Sequence, residues 1–388
     1  MKRSSVTLQH DQRQSAHKTF HKTLQRPPAL LVLSDGEVFE GYCGGSLLDE
    51  GGASQIVTGE IVFNTALSGY LEVATDPSYA GQVVLFTYPH IGNYGVSLDD
   101  RESEKPHCRA IVTRALPVRP SNWRSEIDFE SYLKDNGVPI ITGVDTRRLT
   151  RHLAAVGSLN CAIGRASESV LTQAAKQEPG TLLQDFVKDV TTPKRYMYVA
   201  NSGSSKSKIA ALDCGMKQSI LKDLAKIGDV IVLPASTTAE EILDLGVKGL
   251  FLSNGPGDPE ALGHIATTVD ALVGKLPIMG ICLGHQLLAT ALGAKTYKMA
   301  FGHHGVNHPV KRLSDNQIEI TSQNHNYAVA ADKLPGVSFT HINLNDNVIE
   351  GLAVEKANAI SVQYHPEAAP GPHDSKYVFD RFKAMVNN

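Results

Sequence analysis

Cys282 stands where an apolar run, Leu276-Pro277-Ile278-Met279, meets the helix-like Gln286-Leu287-Leu288-Ala289-Thr290-Ala291-Leu292, and Gly280 and Gly284 flank it. A strand, a sharp turn and a helix with a thiol at the bend describe a nucleophile elbow, where a Cβ on either side would crowd the turn. The nearby helix N-terminus carries partial positive charge and favours thiolate, the form that attacks carbon. An inert buried cysteine is the competing reading of this segment taken alone. A cysteine nucleophile needs a base within hydrogen-bond reach and a group that orients the base. His365-Pro366-Glu367, after the apolar Ala359-Ile360-Ser361-Val362, offers both. Pro366 disfavours helical geometry at His365, and in extended chain residues two apart point the same way. Glu367 can then fix the His365 tautomer while the other ring nitrogen faces the thiol. A single histidine among 15 is more often a surface or structural residue, so the weight rests on the combination. The third element is Ser253-Asn254-Gly255-Pro256-Gly257-Asp258-Pro259. Two glycines there let backbone N–H groups approach a ligand, and with the N–H of Leu283 they suit an oxyanion hole. An ordinary Gly/Pro turn is the plainer reading of that loop by itself.

These three segments need elements that bring them together. Ile209-Ala210-Ala211-Leu212-Asp213 reads as a buried strand, Gln218 to Leu224 as a helix, Asp229 to Leu233 as the next strand, with further strands at Gly249–Ser253 and Leu276–Ile281. Strands alternating with helices imply an α/β fold with a doubly wound, mainly parallel sheet whose ligand site lies at the strand C-termini, where Cys282 falls. Upstream, Ala29 to Leu33 and Glu37 to Gly41 flank Asp35-Gly36, a strong hairpin signal. Short β-rich pieces at Glu60–Phe63 and Gln82–Phe86 follow, and the last helix of this half is expected near Thr181–Val187. The first half thus reads as a β-containing α/β domain. Asn201-Ser202-Gly203-Ser204-Ser205-Lys206-Ser207-Lys208 has linker composition. The expected organisation is an N-terminal extension over 1–28, a first domain over 29–190, a linker over 191–207 and a second domain over 208–388.

Composition narrows the field. The chain has 388 residues, 42% hydrophobic and 20% charged, with a formal net charge of −3, which gives nucleic acid or an anionic membrane no global attraction. Cys43, Cys108, Cys161, Cys214 and Cys282 are an odd number without C-x-x-C spacing, so neither a zinc ribbon nor a disulfide framework is indicated. Free thiols suit a reducing compartment, and no apolar run approaches the ~20 residues of a membrane span. The first 26 residues, with Asp11 the only acid, lack an apolar signal core; a disordered extension is the expectation and an organelle transit peptide the alternative. A cytoplasmic location follows as the expected one.

Gly280-Ile281-Cys282-Leu283-Gly284-His285-Gln286, Ser253 to Pro259 and His365-Pro366-Glu367 together resemble the class I, triad-type glutamine amidotransferases, over about residues 208 to 385. That resemblance implies a flavodoxin-like sheet and catalysis by Cys282, His365 and Glu367 on the side-chain amide of glutamine, through a glutamyl thioester. Val62-Phe63-Asn64-Thr65, Thr75-Asp76-Pro77-Ser78-Tyr79, Thr87 to Asn93, Gly143 to Arg147, Phe301 to Gly305 and Ser322 to His325 resemble the small-subunit family of carbamoyl-phosphate synthase. By the same resemblance, glutamine is held by Ser78, Gly255, Gly257, Leu283, Gln286, Asn324, Asn326 and Tyr327. Ammonia passes through a tunnel to a large partner subunit, which uses Mg-ATP and bicarbonate. Two departures stand out: Asn326 where the family usually has glycine, and Tyr327 where it has phenylalanine. Asn tolerates left-handed geometry best among residues with a Cβ, which would keep a backbone contact possible. No cofactor is expected in this chain, since it has no G-x-x-x-x-G-K-[ST] loop. The histidines at 303, 304 and 308 invite a metal reading, but they lack thiolate or carboxylate at recognised spacing and are expected to be a structural loop, with no metal. The alternatives are a stand-alone thiol amidohydrolase and a catalytically silent regulatory scaffold.

Overall fold

The computed structural model describes residues 26–49, 55–199, 207–330 and 334–387. Two sheets carry the fold. The first is a closed barrel of β1 (Pro28–Leu33), β2 (Val38–Gly45), β3 (Ile56–Asn64), β4 (Gln82–Phe86), β5 (Ala110–Val112), β6 (Pro139–Thr142) and β7 (Leu159–Gly164). The strand order is β1-β2-β6-β5-β4-β3-β7, with β7 pairing back onto β1. Alternation along the strands decides what faces in. Leu31, Leu33, Phe39, Ile61, Val83, Leu85, Val112 and Ile141 fill the interior. Val32, one residue out of step, packs outside against Leu171 and Ala175 of the helix Glu168–Gln177. Val62, Val84, Phe86 and Ile140 meet the helices Tyr70–Thr75 and Phe129–Asp135 outside the opposite wall. Closure leaves the barrel no free edge.

The second sheet has ten strands: β8 (Tyr196–Tyr198), β9 (Lys208–Asp213), β10 (Asp229–Pro234), β11 (Gly249–Leu252), β12 (Ile278–Ile281), β13 (Thr296–Arg312), β14 (Ile318–Val329), β15 (Ser338–Asn343), β16 (Ile349–Val354) and β17 (Ala359–Val362). Their order is β14-β13-β15-β16-β17-β12-β11-β9-β10-β8. Five central strands, β10-β9-β11-β12-β17, run parallel; β8 adds antiparallel at one edge and β16, β15, β13 and β14 at the other. Parallel strands covered on both faces read as unbroken apolar runs. In β9, Ala210 and Leu212 pack toward the helices Ala239–Asp244, Gly263–Leu272 and Leu283–Ala291, while Ile209 and Ala211 pack toward Gln218–Leu224 and Tyr377–Asn387. No helix among the described residues is long and apolar enough to cross a membrane.

Several local expectations change. Phe301 to His308 is not a loop but the middle of β13, paired with β14 across two register shifts. No helix forms over Thr181–Phe186; helix begins only at Val187. There the side chains of neighbours outcompete the helix ladder: Glu60 Oε2 accepts from Thr181 N and Oγ1, and Asp258 Oδ2 from Leu183 N at 2.9 Å. Within the segment expected as linker, Tyr196–Tyr198 is an edge strand paired to β10, while residues 200–206 lie outside those described. Residues 1–25 of the expected extension also lie outside them. At its end, Pro28 already belongs to β1, and Arg26 donates to Cys43 O at 3.1 Å and pairs with Glu130.

The two domains meet along β13 and β14. Thr65 N donates to His304 O at 3.1 Å, Ser158 N to Ala300 O at 2.7 Å, and Lys298 Nζ to Glu60 Oε2 at 2.6 Å. Gly305 is required here, since a Cβ on it would sit 2.1 Å from Thr65 Oγ1.

Candidate active site

β12 ends at Ile281 and the helix Leu283–Ala291 begins at once, so a single residue turns the chain. That residue is Cys282, with φ 54° and ψ −106°, a left-handed conformation a side chain adopts only under constraint. Two glycines make the turn possible. A Cβ on Gly280 would lie 2.5 Å from Gly284 O, and one on Gly284 would lie 2.2 Å from Leu252 O. The Sγ of Cys282 is buried and donates to Asn324 O at 3.4 Å. Leu283 is the first residue of the helix, so its N–H has no carbonyl one turn earlier. The Gly255 loop is pressed against it: a Cβ there would meet Cys214 O at 2.2 Å and Leu283 Cδ2 at 2.8 Å.

His365 follows β17 in extended chain, its N–H donating to Ser322 O. Its Nδ1 lies 2.7 Å from Glu367 Oε1, which also accepts from Lys217 Nζ at 2.8 Å. Lys217 donates a second hydrogen to Ala369 O at 2.6 Å. His365, Glu367 and Lys217 are all 3% exposed or less. Burial alone would lower the pKa of His365, but the Glu367 carboxylate, with the Cys282 thiol beside it, raises it above the usual histidine range. Burial would raise Glu367, yet Lys217 first and His365 second hold it below the usual carboxylate range. Burial disfavours the charge on Lys217, but Glu367, Glu102 and Asp76 favour it more strongly, so its pKa is raised. The result is a buried line of alternating charge, Lys217, Glu367, His365, ending at the thiol. The Nε2 of His365 is buried with no hydrogen-bond partner among the described residues. A protonated ring there supplies the positive charge that a thiolate needs and a proton that a leaving group can take.

A narrow polar cleft opens on Cys282. Of the residues expected to hold substrate, Ser78, Gly255, Gly257, Gln286, Asn324, Asn326 and Tyr327 line it; Leu283 reaches the site through its backbone beside Cys282. His365 lines a second, narrow cavity with Asn64, Glu72, Asp76, Tyr79, Lys217, Val306 and Pro370, and Glu367 stands behind it. Asn326 lies within β14 and is not among the positive-φ residues, so this position makes no demand for glycine geometry. Its side chain is used instead: Asn326 Oδ1 lies 2.8 Å from His304 Nε2, whose Nδ1 lies 2.9 Å from Asn324 Oδ1.

The site also holds residues that sequence reasoning did not single out. Asp76 is one tie between the domains: its Oδ2 accepts from Asn324 Nδ2 at 2.9 Å, while its Oδ1 accepts from Ser78 N of its own domain at 2.9 Å. Asn254 Nδ2 donates to Ser78 Oγ at 2.8 Å. Both lie inside motifs already noted, and the signal was their polarity in segments that must be buried. Lys217 had no such signal, because only the fold places it against a residue 150 positions away. Gln82 and Thr181 also line the cleft.

His303, His325 and Glu350 bring three ligand-type atoms within 4.8 Å of one another. Their bonding is already internal. His303 Nε2 pairs with Asp346 Oδ2 at 2.8 Å, Asn343 donates to Glu350 Oε1 at 2.8 Å, and both ring nitrogens of His325 have protein partners. Burial opposes charge on His303, but Asp346 and Glu350 raise its pKa to about 9, so a protonated ring already stands between the two acids where a cation would sit.

Comparison with known proteins matches both halves. Residues 210–385 match the family model described as glutamine amidotransferase class-I, and residues 31–163 the carbamoyl-phosphate synthase small chain, CPSase domain. The carbamoyl phosphate synthase small chain of Syntrophotalea carbinolica is 46% identical over 374 residues, covering 92% of this chain and 97% of that one. That of Lactococcus lactis subsp. lactis is 44% identical over 361 residues, covering 92% and 98%. Among solved structures, a glutamine amidotransferase from Thermotoga maritima covers 48% of this chain and 100% of its own, at 16% identity and a TM-score of 0.36.

Proposed function

The chain belongs to the family of carbamoyl phosphate synthase small chains, and we propose that it hydrolyses L-glutamine to glutamate and ammonia for a large synthetase partner. The observation that carries this is the buried line Lys217–Glu367–His365 directed at a strained thiol on the edge of a polar cleft. In this reading the Cys282 sulfur attacks the side-chain amide carbon of glutamine as a thiolate, its charge balanced by the protonated His365 ring. The oxygen, now negative, takes hydrogen bonds from the N–H groups of Leu283 and the Gly255 loop. The C–N bond breaks as His365 protonates the departing nitrogen, leaving a γ-glutamyl thioester and ammonia. Water, deprotonated by His365, then cleaves the thioester and restores the thiol. Glu367 keeps the ring in one tautomer throughout, and Lys217 keeps Glu367 charged.

Ser78, Gly255, Gly257, Gln286, Asn324, Asn326 and Tyr327 are assigned to glutamine because they line the cleft on which Cys282 opens. The cavity that His365 shares with Asn64, Tyr79, Val306 and Pro370 is the first leg of an ammonia passage. The name of the relatives implies the large subunit, and bicarbonate and Mg-ATP chemistry is assigned to it. Cys282→Ser in the two-subunit complex is expected to abolish glutamine-dependent carbamoyl phosphate synthesis and leave ammonia-dependent synthesis within about twofold. Glutaminase activity retained in that variant would sink the proposal.

A further inference from the structure

Lys217 is the N-cap of the helix Gln218–Leu224, and its side chain has no acceptor for the open N–H groups of the first turn. Ser, Thr, Asp or Asn usually fills that position. Here the acceptors come from the other domain. Glu102, in the segment between β4 and β5 of the barrel, is buried. Its backbone O accepts from Gln218 N at 2.9 Å, and its Oε2 accepts from Ser219 N at 3.1 Å and from Ser219 Oγ at 2.6 Å. Glu102 is itself tied down within the barrel domain: its N–H donates to Thr75 Oγ1 at 2.9 Å, and that hydroxyl donates to Leu71 O at 2.8 Å. Asn254 Oδ1 also accepts from Lys217 N, at 3.2 Å, and is the one competing anchor from the sheet domain for the head of this helix. Glu102 lines neither the cleft nor the cavity beside His365, so its reach toward the thiol runs through Lys217 and Glu367.

We propose that Glu102 is a positioning residue of the reaction: through it the barrel holds the head of the helix Gln218–Leu224 where Lys217 Nζ reaches Glu367, so that turnover at Cys282 depends on the docked barrel. This rests on the glutamine reading above. Position 217 cannot meet two needs at once. The charged line requires an ammonium there, which only donates, while the helix requires an acceptor. Taking the acceptor from the neighbouring domain resolves the conflict and makes the placement of the cation conditional on the contact between the domains.

The test measures kcat and KM for L-glutamine with the two-subunit enzyme, together with the unfolding midpoint of each small-chain variant. Glu102→Ala is expected to lower kcat roughly tenfold, the effect of losing a hydrogen bond to a charged group, with KM within about threefold. Glu102→Gln, whose amide oxygen still accepts both Ser219 hydrogens, keeps kcat within about twofold of wild type. In a Lys217→Met background Glu102→Ala lowers kcat no further, because the group it positions is gone, while its effect on the unfolding midpoint persists. Should Glu102→Ala fail to fold, Ser219→Ala removes one of the bonds from the other side and carries the same comparison, with an expected fall in kcat of roughly three- to fivefold. An unchanged kcat in the folded variant, a Glu102→Gln as slow as Glu102→Ala, or the full fall repeated on top of Lys217→Met overturns the assignment and leaves the glutamine reading standing. A wild-type enzyme that does not hydrolyse glutamine overturns that reading and this inference with it.

Discussion

The ten-stranded sheet and the barrel face each other across one cleft and contribute different kinds of group. From the sheet come the strained backbone of Cys282, glycines that admit no Cβ, and the buried charges of Lys217, Glu367 and His365. From the barrel side come Asp76, Ser78, Gln82 and Glu60, whose polar groups face the junction from relaxed strand and turn backbone. The difference teaches that reactivity is assembled where parallel strands end, because a strand-to-helix turn and a helix N-terminus converge there. The second domain brings Asp76 and Ser78 to the same cleft, and their hydrogen bonds with Asn254 and Asn324 fix its position relative to Cys282.

Substitutions sort by which side they strike. The largest effect is expected at the elbow: in Gly284→Ala a Cβ meets the backbone of β11 at 2.2 Å, and neither can yield easily. Activity should fall to the level of Cys282→Ser, and stability by about 3 kcal/mol, read from the denaturant midpoint. Full activity in that variant would break the view that the elbow dictates reactivity. Next, Lys217→Met leaves Glu367 buried beside His365 without its cation, at about 3–5 kcal/mol of stability. Here kcat for glutamine should drop far more than KM rises, and Lys217→Met in a Glu367→Gln background should recover most of the stability. Failure of that recovery would mean that Lys217 acts elsewhere. On the barrel side, Asp76→Asn removes charge from hydrogen bonds that hold the domains together, worth roughly 2 kcal/mol. KM and kcat should both worsen, since substrate groups and nucleophile lose their mutual register. Ser78→Ala is the mildest of these, raising KM for glutamine about 3- to 10-fold with kcat little changed. A kcat effect larger than the KM effect would erase the division between reactive and recognising sides.

The charged line also gives a pH signature confined to the sheet. Glu367 has a lowered folded pKa, so its stabilisation is present above its unfolded value of about 4.3 and is lost as pH falls. His365 has a raised folded pKa, so its stabilisation is full below about 6.5 and fades as pH rises toward the folded value. Their joint contribution is therefore greatest between about pH 4.3 and 6.5. The difference in unfolding free energy between wild type and Glu367→Gln should peak in that window, and a flat difference from about pH 4 to 9 would contradict the ionic reading of the line.

Much of the sheet was legible from periodicity. The helix Gln218–Leu224 and the strand Gln82–Phe86 coincide with their expected bounds, because an unbroken apolar run or a 3.6-residue repeat is a local property. β13 was not legible: Phe301-Gly302-His303-His304-Gly305 has loop composition and becomes strand only because β14 pairs with it and Thr65 of the barrel packs on Gly305. Thr181–Phe186 failed in the opposite sense, having helical composition but side-chain partners in Glu60 and Asp258 that hold it in a turn. The closed barrel was equally hidden, since pairing of β1 with β7 joins residues more than a hundred positions apart.

The sequence by itself marked Cys282, His365 and Glu367 as the candidate site, because an elbow needs glycine on both sides of the cysteine and a proline favours the extended geometry that aligns His365 with Glu367. Only the tertiary structure decided that Lys217 holds Glu367 charged, that Asp76 ties the domains together, and that Gln82 and Thr181 line the cleft. Those facts concern groups brought together by burial across the domain junction, and no local pattern encodes which distant partner a buried charge or amide will meet.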